Sequence, residues 1–248
     1  PFHPFSRQPQ VRLDASKGKI NTVLAITAQR DYMNSGPAGS SSIYLRNSMV
    51  PNLHGQVQYT GNQLFAGVGV DYKRLTPRLV TDSMYATKAS VNCFSYTAFM
   101  MAKTKPLVVK MQWIYGQGLN DHLVMGGYGI SKIDPLTNEH EYLPLNYLSG
   151  WINLQTTGKT WQGSLFAGYT KGYGAEQNIV GAVYARDADI DYVYRVAPMI
   201  SYINGKLLVT AECEFTTAAY GKLDAKCKVY DTKPVTNSRI SFSIGYFF

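Results

Sequence analysis

Charged side chains in this 248-residue chain tend to fall two or four positions apart inside extended stretches. Arg12 and Asp14, Asp71 and Lys73, and Glu212 and Glu214 are spaced i, i+2; Asp191 and Arg195 are spaced i, i+4. In a strand, those spacings put both members of a pair on one face. Rows of fixed charge on one face attract and sort ions, which is the chemistry of a wall rather than of bond-making. The predicted inward bases are Arg12, Lys73, Lys110, Arg195 and Arg239. The predicted inward acids are Asp14, Asp71, Asp191, Glu212 and Glu214, so the wall itself is balanced. Arg12 and Arg195 each have a wall acid nearby that would neutralise them. Glu212 and Glu214 together form a patch that attracts cations.

Motifs for covalent chemistry are weak. Gly158-Lys-Thr160 resembles the end of a phosphate loop, but Asn153 stands where that loop needs its first glycine. The four histidines, His3, His54, His122 and His140, lack metal-ligand spacing. His54 faces inward by parity without a Ser-His-acid set around it in sequence. No catalytic residue, metal or cofactor is assigned.

Arg30 and Arg46 are of a different kind. They flank a Gly-Pro-Ala-Gly-Ser-Ser-Ser stretch in the first long loop. Folded inward, that loop would narrow a channel and offer two guanidinium forks to a carboxylate or phosphate. The competing reading pairs both with Asp31 and Asp82, or leaves them solvated. Phe65, Tyr147, Trp151 and Phe166 also point inward by parity, either as a stacking surface for a sugar or ring or as filler beneath a folded loop.

The elements that carry these residues alternate with period two. Strands are predicted near 9–15, 20–29, 52–60, 63–73, 89–102, 107–116, 147–156, 160–170, 190–202, 207–217 and 238–248. One face of each is apolar: Leu64, Ala66, Val68, Val70 and Tyr72 in one strand, and Ile240, Phe242, Ile244, Tyr246 and Phe248 in another. Short connections (16–19, 60–62, 103–106, 156–159, 203–206) alternate with long ones (30–51, 74–88, 117–146, 171–189, 218–237). Short turns on one rim and long loops on the other is the layout of an outer-membrane barrel, whereas a soluble sandwich would mix hairpins with crossovers.

Composition agrees with that layout. At 45% hydrophobic residues the chain is not disordered. Its apolar runs fall far below the roughly 18–20 residues of a membrane helix. A mean hydropathy of −0.16 suits a wall with lipid on alternate residues only. Three cysteines leave at least one unpaired, so no disulfide framework is implied. The net charge of +8 is not evidence for a nucleic-acid partner or for anion selectivity. Six lysines (Lys17, Lys19, Lys103, Lys105, Lys159, Lys206) sit in the short turns.

The aromatic strand 239–248 resembles the assembly signal of Gram-negative outer-membrane barrels. Three segments, 1–10, 42–54 and 67–78, are similar to the DcaP-like group of outer-membrane porins. That resemblance implies a homotrimeric channel of about sixteen strands for small, often acidic, solutes. It also implies that about five strands precede residue 1, because a bacterial single-chain barrel has an even strand number. The expectation is an all-β, antiparallel transmembrane β-barrel of about eleven strands over residues 1–248, one domain and the C-terminal part of a larger barrel. It would stand in the outer membrane, in contact with lipid, and pass small hydrophilic solutes, anionic ones among them. The pore-lining residues would be Arg12, Arg30, Arg46, Lys73, Lys110, Arg195, Glu212 and Glu214. The rivals are a receptor or adhesion barrel with a plugged lumen, and an outer-membrane hydrolase.

Overall fold

The computed structural model describes residues 2–30 and 32–248. The first strands are β1 (Gln10–Lys17) and β2 (Ile20–Thr27). Two short strands, β3 (Ser35–Gly36) and β4 (Gly39–Ser40), and the helix α1 (Ile43–Ser48) lie in the first long loop. There follow β5 (Asn52–Thr60), β6 (Leu64–Leu75), β7 (Val91–Lys103) and β8 (Leu107–Gln117). A 3-10 turn, Leu119–His122, leads to β9 (Gly126–Ile133) and β10 (His140–Pro144). Then come β11 (Asn146–Thr156), β12 (Trp161–Gly174), β13 (Val183–Arg186) and β14 (Ile190–Asn204). The chain closes with β15 (Leu207–Leu223) and β16 (Val229–Tyr246).

Eleven of these strands form one antiparallel sheet in the order β1-β2-β5-β6-β7-β8-β11-β12-β14-β15-β16. Every neighbour in the sheet is also the next wall strand in sequence, which is an up-and-down meander. The sheet is not closed: β1 and β16 each have a partner on one side only. Because neighbours are antiparallel, the first and last of eleven strands run in the same direction. Pro234 sits on the edge strand β16, where its missing N–H costs no ladder bond on the open side.

All eleven predicted wall strands form. The last hairpin differs from expectation: β15 and β16 extend until the connection predicted at 218–237 shrinks to 224–228. That turn is closed by Asp224, whose carboxylate accepts the Lys226 and Lys228 N–H groups at 2.8 Å. The polar alternation of these extensions carries no apolar face and so resembles loop in the sequence. Positive φ occurs at Gly18 and Gly205 in the two-residue turns, as tight hairpins require. Gly61 and Gly158, predicted to serve the same purpose, do without it.

The two faces of the sheet differ as parity predicts. Val68, Val70, Tyr96, Ile200, Ile240, Phe242 and Ile244 on one face are exposed. Lys73, Cys93, Ile114, Tyr147 and Val193 on the other are buried, because chain from the long-loop rim packs over them. That covered face is the inner one.

The sequence reading left 117–146 and 171–189 as loops. They instead build a cap: β10, β9 and β13 form a three-stranded sheet in that order. Its Tyr128 is fully buried and packs edge-on to Tyr142 with centroids 5.7 Å apart. The α1 residues Tyr44 and Leu45 join Leu75, Val91, Cys93, Tyr128 and Ile130 in one apolar cluster between cap and wall.

Candidate functional site

The inner face presents charge, and most of it is already paired. Arg12 donates from Nε to Asp14 Oδ2 at 2.7 Å along β1. Arg195 Nη1 lies 3.0 Å from Glu214 Oε2, and its Nε donates to Thr216 Oγ1 at 2.9 Å. Arg239 reaches the same Glu214 oxygen at 3.1 Å, so one acid bridges two strands' arginines. Lys171, by contrast, shares the outer face with Leu148 and Tyr192, and the bulge between Ile190 and Tyr192 turns Asp191, expected inward, to pair with it at 2.8 Å. Lys110 and Glu212, both inward, form no ion pair among the described residues.

Lys73 points inward but is unavailable to a solute. It is 5% exposed, donates to Gly118 O at 2.8 Å, and pairs with the fully buried Asp121. Asp121 also accepts from Gln29 Nε2 at 3.1 Å and from Gln8 Nε2 at 3.5 Å. Asn34 bonds both Gln29 and Asn120. One buried polar network thus ties the N-terminal segment, the end of β2, the wall strand β6 and the 3-10 turn. Burial works against the Asp121 carboxylate, but Lys73 and His122 outweigh it and hold the group below the usual carboxylate range.

The first long loop turns toward the inner face. Its Gly-rich stretch makes the β3–β4 hairpin, pinned by Tyr44: the Ala38 N–H donates to Tyr44 Oη, which donates to Gly39 O. Arg46 is exposed on α1, and Arg30 is exposed just past β2. Of the two acids predicted to neutralise them, Asp82 pairs with Arg78 instead, at 2.9 Å. Asp31 lies outside the described residues.

Two inner features have no counterpart in the sequence reading. Residues 2–9 cross the inner face as a strap. The Phe5 N–H donates to His122 O at 2.9 Å, and Phe2 is 3% exposed against β12. Phe2 fits because residue 168 is glycine: a Cβ there would meet the Phe2 ring at 2.5 Å. Arg195 lies over the same ring, 5.6 Å from its centroid. The second feature is the cap. A signal for it was present in the alternation of His140-Glu-Tyr142 after the turn residues Asp134-Pro135.

Of the inward aromatics, Tyr147 is buried beneath the cap and Phe166 beneath Phe2. Phe65 and Trp151 remain open to a cavity on the inner face. His54 Nδ1 meets Asp71 Oδ1 at 2.8 Å, and its Nε2 meets Gln56 Oε1 at 3.3 Å. The second nitrogen therefore faces an amide rather than a nucleophile.

No family model matches the chain, and no curated protein matches it. Solved structures do. OmpT of Vibrio cholerae expressed in the outer membrane matches at TM-score 0.50 and 11% identity, over 96% of this chain and 64% of its own. An in-vitro folded, trimer form of that outer membrane protein matches with the same figures. A solved porin matches at TM-score 0.49 and 10% identity, over 97% of this chain and 62% of its own. The chain thus spans about 64% of the length of the first two structures. Likeness at 11% identity shows the fold, that of an outer-membrane barrel.

Proposed function

We propose that this chain forms the larger part of the wall of an outer-membrane porin, through which small hydrophilic solutes diffuse. The observation that carries the reading is the two-faced sheet: an exposed apolar face on one side and paired charges on the other. A bilayer solvates the first and a water-filled interior the second. Closure of an antiparallel barrel needs an odd number of further strands between β1 and β16, because those two run the same way. About five would give the sixteen-stranded size of the DcaP-like porins. Assembly as a homotrimer belongs to the same proposal. No bond-making chemistry is assigned.

Selectivity for anions rests on Lys110 on the wall and on Arg46 in the loop at the rim. Arg12 and Arg195 act chiefly within the wall, since each holds an acid. Recording in planar bilayers tests the reading. An ohmic, ion-selective conductance is expected, with a reversal potential in a salt gradient that moves toward cations in Arg46→Ala and in Lys110→Gln. A silent barrel would replace the porin with the plugged receptor. One observation favours that second reading: the strap and cap bury two apolar clusters against the inner face.

A further inference from the structure

Near the short-turn rim the inner wall carries a shelf that the strap touches only through His3. Register aligns Phe65, Met101, Lys110 and Asn153 in one row across β6, β7, β8 and β11. The next row holds Gly67, Phe99, Gln112 and Trp151. Phe99 lies over Gly67, where a Cβ would come within 2.4 Å of its ring, and packs on Phe65 with centroids 5.5 Å apart. Trp151 is stacked on Phe166 at 6.1 Å and 21°, and its indole N–H donates to His3 Nδ1 at 3.3 Å. Each aromatic is therefore braced by a neighbour, Phe99 over β6 and Trp151 beside Phe166, with Gln112 between them in the row.

The Phe99 and Trp151 backbones stand two strands apart, roughly 10 Å by strand spacing, and the Phe99 ring leans over Gly67 and leaves the floor of the row open. A ring seated there meets the Trp151 indole at the usual ~4.5–7 Å between centroids, with Phe65 and Phe99 closing its far side. The cavity there, lined by Phe65, Phe99, Met101, Lys110, Gln112 and Trp151, measures about 390 Å³, within the range of small-molecule sites. Lys110 at its edge has no acidic partner among the described residues.

We propose that this shelf binds solutes built as a ring with an apolar face, aryl or sugar, carrying a carboxylate. The ring lies between Phe99 and Trp151, the carboxylate meets the Lys110 ammonium, and the Gln112 amide donates a second hydrogen bond. The proposal rests on the porin reading for how such a solute arrives, but its test does not use conductance. With Trp113→Phe and Trp161→Phe, Trp151 is the single tryptophan of the three, and its fluorescence is followed in detergent micelles during titration with benzoate, glucuronate and acetate. Benzoate or glucuronate is expected to half-saturate at least about tenfold below acetate, and the tighter of the two says whether the ring is an aryl or a sugar acid. Lys110→Met should raise that midpoint about tenfold. Phe99→Leu, still read through Trp151, should erase the advantage over acetate. Equal midpoints for all three acids, or an unchanged midpoint in Lys110→Met, would overturn the site. Ring binding in a barrel that does not conduct would leave the shelf and remove the pore; conductance without ring preference would do the reverse.

Discussion

Lys73 shows how a charge can be read correctly for direction and wrongly for purpose. Its parity places it on the inner face, yet Asp121 and Gly118 enclose it, and the pair is almost fully buried. Removing one member of a buried pair strands the other, a loss of about 3–5 kcal/mol. Lys73→Met should therefore lower the unfolding midpoint in micelles sharply, while Lys73→Met with Asp121→Asn should recover most of the loss. Asp121 is held below the ordinary carboxylate pKa of about 4. Its contribution is complete above that ordinary value and is lost as pH falls through the lower, folded one. Acid should therefore loosen the strap before it affects the wall, seen as faster proteolysis within residues 2–9.

His140 behaves in the opposite chemical sense. Burial and the neighbouring Arg78 push its pKa below the usual value of about 6.5. As a neutral ring, it accepts from Arg78 Nη2 through Nδ1 at 2.9 Å. A base favoured in its neutral form supports the fold above about pH 6.5, and that support fades as pH falls toward the lower, folded value. His140→Gln, which keeps an acceptor, should remove the pH dependence of cap melting below about 6.5.

Among the elements, wall and cap differ in how much of them the sequence reveals. The wall strands are legible because each has a face of apolar residues at period two, from three in β1 and β2 to six in β14, with turn residues at one end. The cap strands are short, and the first five residues of β9 are buried on both faces, so it reads Gly-Gly-Tyr-Gly-Ile without alternation. The strap carries no periodicity at all, and its seat depends on a glycine a long way off in sequence. Gly168→Val should evict Phe2 and expose residues 2–9 to protease with the wall intact. Tyr128→Ala, emptying a fully buried site in the cap, should cost about 3–5 kcal/mol locally. Hydrogen exchange would then show β9, β10 and β13 opening while the wall ladder stays protected. Site residues divide the same way. Inward direction is legible for Arg12, Lys110, Arg195, Glu212 and Glu214, and so is the acid two residues from Arg12, whereas the Glu214 bridge between Arg195 and Arg239 depends on register across strands, which a single sequence does not print.

At the scale of the whole molecule, everything rests on the sheet separating hydrocarbon from water. The edges β1 and β16 are each paired on one side only. Cysteine scanning along β6 tests that separation directly, in a background with Cys93, Cys213 and Cys227 replaced by Ala. In lipid vesicles, a water-soluble maleimide should label Phe65→Cys, Gly69→Cys and Asp71→Cys and spare Leu64→Cys, Val68→Cys and Val70→Cys. Labelled with a fluorophore before reconstitution, the spared positions should in turn be quenched by probes carried on lipid acyl chains. Labelling of both sets at equal rates would contradict the account, since it would put water on each side of the sheet.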